Sequence, residues 1–388
     1  MSHSMFSPKG SLFSPGACSG SLFRSLVLLV VFFQAVLNMP SRSHAQEGDV
    51  RRVHDPHIIK EAGAYYIFCT GPGIPIRQSP DLLNWKIVGK VFDKLPEWTK
   101  QEIPGAVFPW APDILFFNGK YHLYYSISTF GSNRSCIGLA TNATLDPQGK
   151  DYKWVDQGKV IESFKTDDWN AIDANPVMDN GNNPWLCFGS FWSGIKMRRL
   201  DISTGKTSAD DTNLYSLASR PEEPRAIEGA YIFRKGDYYY LFASFDFCCR
   251  GVKSDYNIRV GRCKQITGPY VDKSGKPMLD GGGTLVLEGA GRYIGPGHNS
   301  ILHDGDKDWL VYHFYDGENR GIATLQIRPL TWTEDGWPVP GEPLKNPVLP
   351  QENKKYECVQ MNDSPYFRIS TPGCITRDSP PFFSRIPK

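Results

Sequence analysis

His54-Asp55-Pro56-His57-Ile58-Ile59, followed across a short turn by Ala64-Tyr65-Tyr66-Ile67-Phe68, is the first of five copies of one pattern. A polar or charged residue opens a short apolar run, a turn rich in Gly, Asn and Asp follows, and a second run rich in Tyr, Phe and Leu completes the unit. The second copy is Trp110-Ala111-Pro112-Asp113-Ile114-Leu115 into Lys120-Tyr121-His122-Leu123-Tyr124-Tyr125, and the third is Asp173-Ala174-Asn175-Pro176-Val177 into Pro184-Trp185-Leu186-Cys187-Phe188. The fourth is Glu228-Gly229-Ala230-Tyr231-Ile232 into Asp237-Tyr238-Tyr239-Tyr240-Leu241-Phe242, and the fifth is His298-Asn299-Ser300-Ile301-Leu302 into Asp308-Trp309-Leu310-Val311-Tyr312. Alternating apolar runs joined by tight turns such as Asn118-Gly119 and Lys235-Gly236-Asp237 read as hairpins.

Third strands follow in Cys136-Ile-Gly-Leu-Ala-Thr141 and Asn257-Ile-Arg-Val-Gly261, and outer strands begin at Trp85 and Trp154. The copies recur every ~55 to 70 residues, a spacing suited to four-stranded blades with long outer loops. No stretch sustains a helical period. The expected fold is therefore all-β, a five-bladed β-propeller over residues 46–350, closed by Ile322-Ala-Thr-Leu-Gln-Ile327, Leu330-Thr-Trp332 and Trp337-Pro-Val339.

Outside this domain the chain reads differently. Lys9 and Arg24 precede an apolar run over residues 26–37 and then Ser43-His44-Ala45, the order of a secretory signal cut after Ala45. The run is short of the ~20 residues that span a bilayer. The expectation is a signal peptide over residues 1–45 and a mature protein that is secreted or periplasmic, without a membrane attachment. Residues 351–388, rich in Pro, Ser and basic side chains, read as an extended tail. Lys and Arg total 43 against 41 Asp and Glu, so no charge excess points to nucleic acid or to an anionic membrane as partner. A neutral partner, and action as a monomer, are expected. The eight cysteines beyond the leader have no metal-ligand spacing and fit small buried hydrophobes as well as disulfide partners. Asn133-Arg-Ser, Asn142-Ala-Thr and Asn362-Asp-Ser are glycan acceptors if the secretory pathway is eukaryotic.

In a propeller the first strand of each blade lines the central channel, so equivalent positions converge on the axis. Alignment on the second strands brings Asp55, Ala111, Asp173, Glu228 and His298 into register, with Asp113 two residues further along and on the same face of its strand. Singly, each charged residue fits a solvated strand end. Together, three carboxylates facing one channel repel, so at least one carboxyl group is expected to hold its proton above the usual range. A protonated acid beside an ionised base is the requirement of glycoside hydrolysis. Neither a nucleophile elbow nor a helical pair of histidines is present, and Gly281-Gly-Gly283 reads as a loop.

These residues closely resemble glycoside hydrolase family 43, and within it the arabinan-cleaving members, over residues 53–347. The motifs that carry the resemblance include Ala171-Ile-Asp173, Phe188-Gly-Ser-Phe-Trp-Ser-Gly194, Ala226-Ile-Glu228-Gly-Ala230, Phe245-Asp-Phe-Cys-Cys-Arg-Gly251 and Gly295-Pro-Gly-His298-Asn299. The resemblance implies an inverting hydrolase making internal cuts in α-1,5-L-arabinan, with Asp55 as general base, Glu228 as general acid and Asp173 tuning and positioning that acid. It implies a calcium ion near His298, held mostly through waters, and no organic cofactor. Trp110 is then a sugar-stacking platform, Asn175 a hydroxyl contact, Phe130 and Trp192 further contacts, and His54 a residue orienting Asp55. Each aromatic also fits plain packing. An exo-acting arabinofuranosidase or β-xylosidase, and a carbohydrate-binding propeller without catalysis, stay open alternatives.

Overall fold

The computed structural model describes residues 47–344, so the expected signal segment and tail lie outside the described residues. Five antiparallel sheets carry the chain in sequence order. The first blade runs His57–Glu61, Ala64–Phe68, Pro75–Ser79 and Asn84–Lys90, with Glu47–Gly48 added in parallel at its outer edge. The second is Trp110–Phe117, Lys120–Ile127, Ser135–Asn142 and Val155–Ser163, and the third is Asn175–Met178, Pro184–Phe188, Ile195–Arg199 and Tyr215–Ala218. Ile227–Lys235, Tyr238–Phe245, Asn257–Cys263 and Thr284–Leu287 form the fourth, and Tyr293–Asp304, Lys307–Asp316, Ile322–Trp332 and Pro338–Pro340 the fifth. Residues 330–332, read from sequence as a separate closing strand, continue the strand that begins at Ile322.

The alternation of side chains along each strand gives a blade two apolar faces, and each face needs a neighbour. The core accordingly divides into five clusters, one per blade-to-blade contact. Phe68, Leu123 and Tyr125 join the first two blades, and Leu139, Leu186 and Phe188 the second and third. Cys187, Ile232 and Leu241 join the third and fourth, and Phe242, Leu310 and Tyr312 the fourth and fifth. The ring closes through Val53, Ile67, Trp85, Val311 and Ile327. Before the first blade, the chain also crosses to the fifth: Val53 N–H donates to Ala323 O, and Leu325 N–H to Val50 O.

Cys69, Cys136 and Cys187 are buried thiols, and Cys248, Cys249 and Cys263 are also free. Neither expected glycan acceptor in this region is open to modification. Asn133 and Asn142 are 5% and 2% exposed, and the Asn133 amide donates to the carbonyls of Phe164, Asp167 and Trp169. Among the described residues, no helix is long and apolar enough to cross a membrane.

Candidate active site

The five first strands begin at one end of the ring, and the connections between second and third strands return to that same end. At each first-strand start one residue adopts a left-handed backbone: Asp55 (φ 51°), Ala111 (φ 39°), Asp173 (φ 59°), Gly229 (φ 57°) and His298 (φ 48°). Register shifts bracket this residue in the second, fourth and fifth blades, between Trp110 and Asp113, Glu228 and Tyr231, and Gly297 and Ser300. Such bulges re-aim the side chains beside them. The equivalent of Asp55 and Asp173 in the fourth blade is therefore Gly229, and Glu228 stands one residue earlier, in register with His54 and Trp110. The sequence alignment placed Glu228 in the same layer as the two aspartates. The bulge is what displaces it.

A ring of side chains holds these bends. The residue six positions after each second-strand start is Thr70, Ser126, Ser190, Ser244 or His313, inside the strand in three blades and two residues past its end in the first and third. In four cases it accepts the bent residue's N–H from the next blade: Ala111 to Thr70 at 2.7 Å, Asp173 to Ser126 at 2.9 Å, His298 to Ser244 at 2.8 Å, and Asp55 to His313 Nδ1 at 3.1 Å. The fourth blade breaks the pattern. Gly229 N–H donates to Asp173 Oδ2 at 3.1 Å, which frees the Ser190 hydroxyl to donate to Glu228 Oε2 at 2.7 Å. Tyr256 OH donates to Glu228 Oε1 at 2.8 Å.

Asp55, only 7% exposed, meets His54 Nδ1 at 2.8 Å and the Thr70 hydroxyl at 2.5 Å on Oδ2, and His298 Nδ1 at 3.0 Å on Oδ1. Burial acts to raise its pKa, but His54 and His298 outweigh burial and hold the carboxyl well below the ordinary range. Glu228 goes the other way. Burial raises it, with a contribution from Cys249, against the lowering influence of the Ser190 and Tyr256 hydroxyls. Burial also pushes Asp173 up to about 7, opposed by His298 and reinforced by Glu228 and Asp55. The channel thus holds one carboxylate kept ionised and two carboxyls biased toward the protonated form, the split that acid–base chemistry needs.

The remaining expected residues divide. Trp110 is half-buried at its first-strand start. Phe130, 77% exposed, and the half-buried Trp192 lie on second-to-third connections, at the same end of the ring as Asp55. Asn175 sits apart from these. It is 1% exposed, its amide donates to Asp113 Oδ2 at 2.9 Å, and its carbonyl accepts Ile232 N–H at 2.8 Å. Asp113 in turn meets His57 Nδ1 at 2.7 Å. Two residues beyond the bend, Asn175 therefore belongs to a buried layer that ties four blades together.

Three groups among the described residues bring three potential metal-ligand atoms within 4.8 Å of one another: His54 with Asp55 and His313, His54 with Cys248 and Cys249, and Glu102 with Cys136 and Glu162. The last pair of glutamates is already bridged by Arg134 and Lys159. His298 belongs to none of them. With Nδ1 turned to Asp55, it offers a cation Nε2 alone. A calcium ion, which takes six to eight oxygen ligands, fits beside it only if water supplies nearly all of them.

The family model for glycosyl hydrolases family 43 matches residues 50–338. The chain belongs to this family. Among similar proteins, the extracellular endo-α-(1→5)-L-arabinanase 1 of Bacillus subtilis is 45% identical over 291 residues, covering 74% of this chain and 87% of that protein. The extracellular exo-α-(1→5)-L-arabinofuranosidase of Cellvibrio japonicus is 43% identical over 297 residues, covering 74% of this chain and 85% of that protein. The solved structure of Cellvibrio cellulosa α-L-arabinanase complexed with arabinohexaose superposes with a TM-score of 0.73 at 41% identity, covering 76% of this chain and 96% of that one. The family assignment agrees with the five blades and with the paired acid and base environments.

Proposed function

We propose that this glycoside hydrolase makes internal cuts in α-1,5-L-arabinan and inverts the anomeric centre. The observation that carries the chemistry is the opposite tuning of two carboxyls in one channel: the buried Asp55 held ionised by two imidazoles, and the half-buried Glu228 raised. Asp55 is the general base that takes a proton from the attacking water. Glu228 is the general acid that protonates the leaving oxygen. Asp173 is a positioning residue, because its carboxyl Oδ2 accepts the Gly229 N–H next to Glu228. Trp110, Trp192 and Phe130 supply apolar faces against which sugar rings stack. His54 and Thr70 orient Asp55.

His298 holds a largely hydrated calcium ion through Nε2. When bound, that ion supplies a fixed positive charge on the axis. Export through the leader that ends at Ala45 is part of the same proposal, supported by the two relatives named as extracellular.

Incubation with linear α-1,5-arabinan, with product sizes followed from the earliest times, tests the endo mode. Mixed oligosaccharides are expected first. Arabinose as the sole early product would reassign the protein to exo action. Glu228→Gln is expected to lower turnover by about 10²–10⁴-fold, and unchanged turnover would remove Glu228 from the mechanism.

A further inference from the structure

The connection from Phe245 to Asn257 carries an adjacent cysteine pair that the hydrolytic chemistry does not use. It is a built loop. Phe247 N–H donates to Asp255 Oδ1 at 2.9 Å, Asp255 N–H to Phe247 O at 3.1 Å, and Arg250 N–H to Ser254 Oγ at 3.1 Å. Cys249 N–H docks it on the fifth blade by donating to Tyr315 OH at 2.7 Å. Cys249 itself adopts φ 65°, a left-handed backbone uncommon outside glycine. The bend leaves Cys249 exposed and Cys248 half-buried, with the Cys249 Sγ 3.7 Å from His54 Nε2.

We propose that Cys248, Cys249 and His54 form a binding site for a thiophilic divalent cation, zinc(II) being the one that fits, and that filling this site slows hydrolysis. Two thiolates and an imidazole are a soft donor set that prefers zinc to calcium or magnesium. Their ligand atoms lie within 4.8 Å of one another. Tetrahedral zinc, with bonds of ~2.3 Å to sulfur and ~2.0 Å to nitrogen, sets such atoms roughly 3.5–3.8 Å apart. The observed 3.7 Å between Cys249 and His54 falls in that range, and the exposure of Cys249 gives the ion a path in.

The outer shell is already in place. His54 Nδ1 lies 2.8 Å from Asp55 Oδ2, which places a ring proton on Nδ1, while Nε2 meets the Tyr315 hydroxyl at 2.8 Å with Cys249 Sγ at 3.7 Å, so an incoming ion takes the place of that hydroxyl contact. A carboxylate on the far nitrogen is the usual support of a metal-bound histidine. Binding exchanges two thiol protons for the ion and involves no change of oxidation state; water completes the fourth position. The consequence reaches catalysis through the same imidazole. A cation on Nε2 fixes the imidazole whose Nδ1 meets Asp55 at 2.8 Å and sets an ion and its water beside the channel, where the substrate has to pass.

The experiment uses the full chain, reduced with a phosphine and desalted without air. Titration with cobalt(II), a spectroscopic stand-in for zinc, is expected to give a thiolate-to-cobalt charge-transfer band saturating at one equivalent, which zinc then abolishes. Cys248→Ser and Cys249→Ser are expected to weaken zinc binding on the order of 10- to 100-fold or more. Zinc should slow arabinan hydrolysis by the native chain and leave Cys249→Ser at its own metal-free rate. Absence of the band in fully reduced protein, or its persistence in the double serine variant, would overturn the site. Should the variants fail to fold, iodoacetamide labelling of the native chain decides. Zinc is expected to protect Cys248 and Cys249 while leaving labelling at Cys263 unchanged, and equal labelling of the pair with and without zinc overturns the proposal. Because binding is read by spectrum and labelling, failure of the arabinan assay alone leaves this result distinguishable.

Discussion

Replacing Ser190 with alanine isolates the one departure from the ring of latches. In the other four blades the equivalent side chain accepts a backbone N–H; here the hydroxyl donates to Glu228 Oε2. Ser190 is 3% exposed, so water does not readily take its place. A hydrogen bond to a charged group contributes about 1.5–3 kcal/mol. The protonated acid retains part of that bond, so the difference between the two protonation states is about half, roughly 0.8–1.5 kcal/mol, equivalent to about half to one pH unit. The hydroxyl favours the ionised form and thus lowers an acid that burial has raised. Its removal lets Glu228 keep its proton to higher pH. The alkaline limb of the kcat/KM profile on arabinan should move up by about half to one pH unit, with the optimum rate falling less than about tenfold. Ser190→Thr should restore the native profile. An alkaline limb that stays in place or moves down in Ser190→Ala would refute the reasoning, because it would mean that the hydroxyl does not favour the ionised acid.

Other expectations follow from packing and from the axis. A Cβ on Gly297 would meet Tyr256 Cδ1 at 2.0 Å, so Gly297→Ala should displace the tyrosine from Glu228 and lower kcat more than it changes KM, read from initial rates. Asn175→Ala should cost about 1–3 kcal/mol of stability by denaturant unfolding, since it strands Asp113 and Ile232 N–H, yet leave KM nearly unchanged. A raised KM at full stability would restore Asn175 as a substrate contact. Leu186, fully buried between the second and third blades, should cost about 2–5 kcal/mol when cut to alanine, measured the same way. Chelation should lower the rate, calcium should restore it, and His298→Ala should show no calorimetric calcium binding at the axis.

Much of the site was legible because the signal is local. Tyr- and Phe-rich runs after Gly and Asn turns specify hairpins wherever they occur, and five repeats of that local choice specify five blades. The position of a residue at a first-strand start then brings it to the axis, which is why Asp55, Asp173, Glu228 and His298 stand out in the sequence alone. A further local signal is the Ser or Thr six positions after the start of four second strands, which marks the latches and includes Ser190.

What the sequence by itself determined is the repeat, the fold class and the residue types on the axis, because alternation and turn chemistry act over a few residues. Tertiary structure alone decided how those residues are used. The bulge at Gly229 sets Glu228 one layer away from the aspartates. His313 reaches Asp55 across 258 residues of chain, and Cys249 reaches His54 across 195. Asn175 turns to a buried amide layer instead of the substrate face. Each of these is a contact made only when the ring closes, and nothing in the local sequence carries its energy.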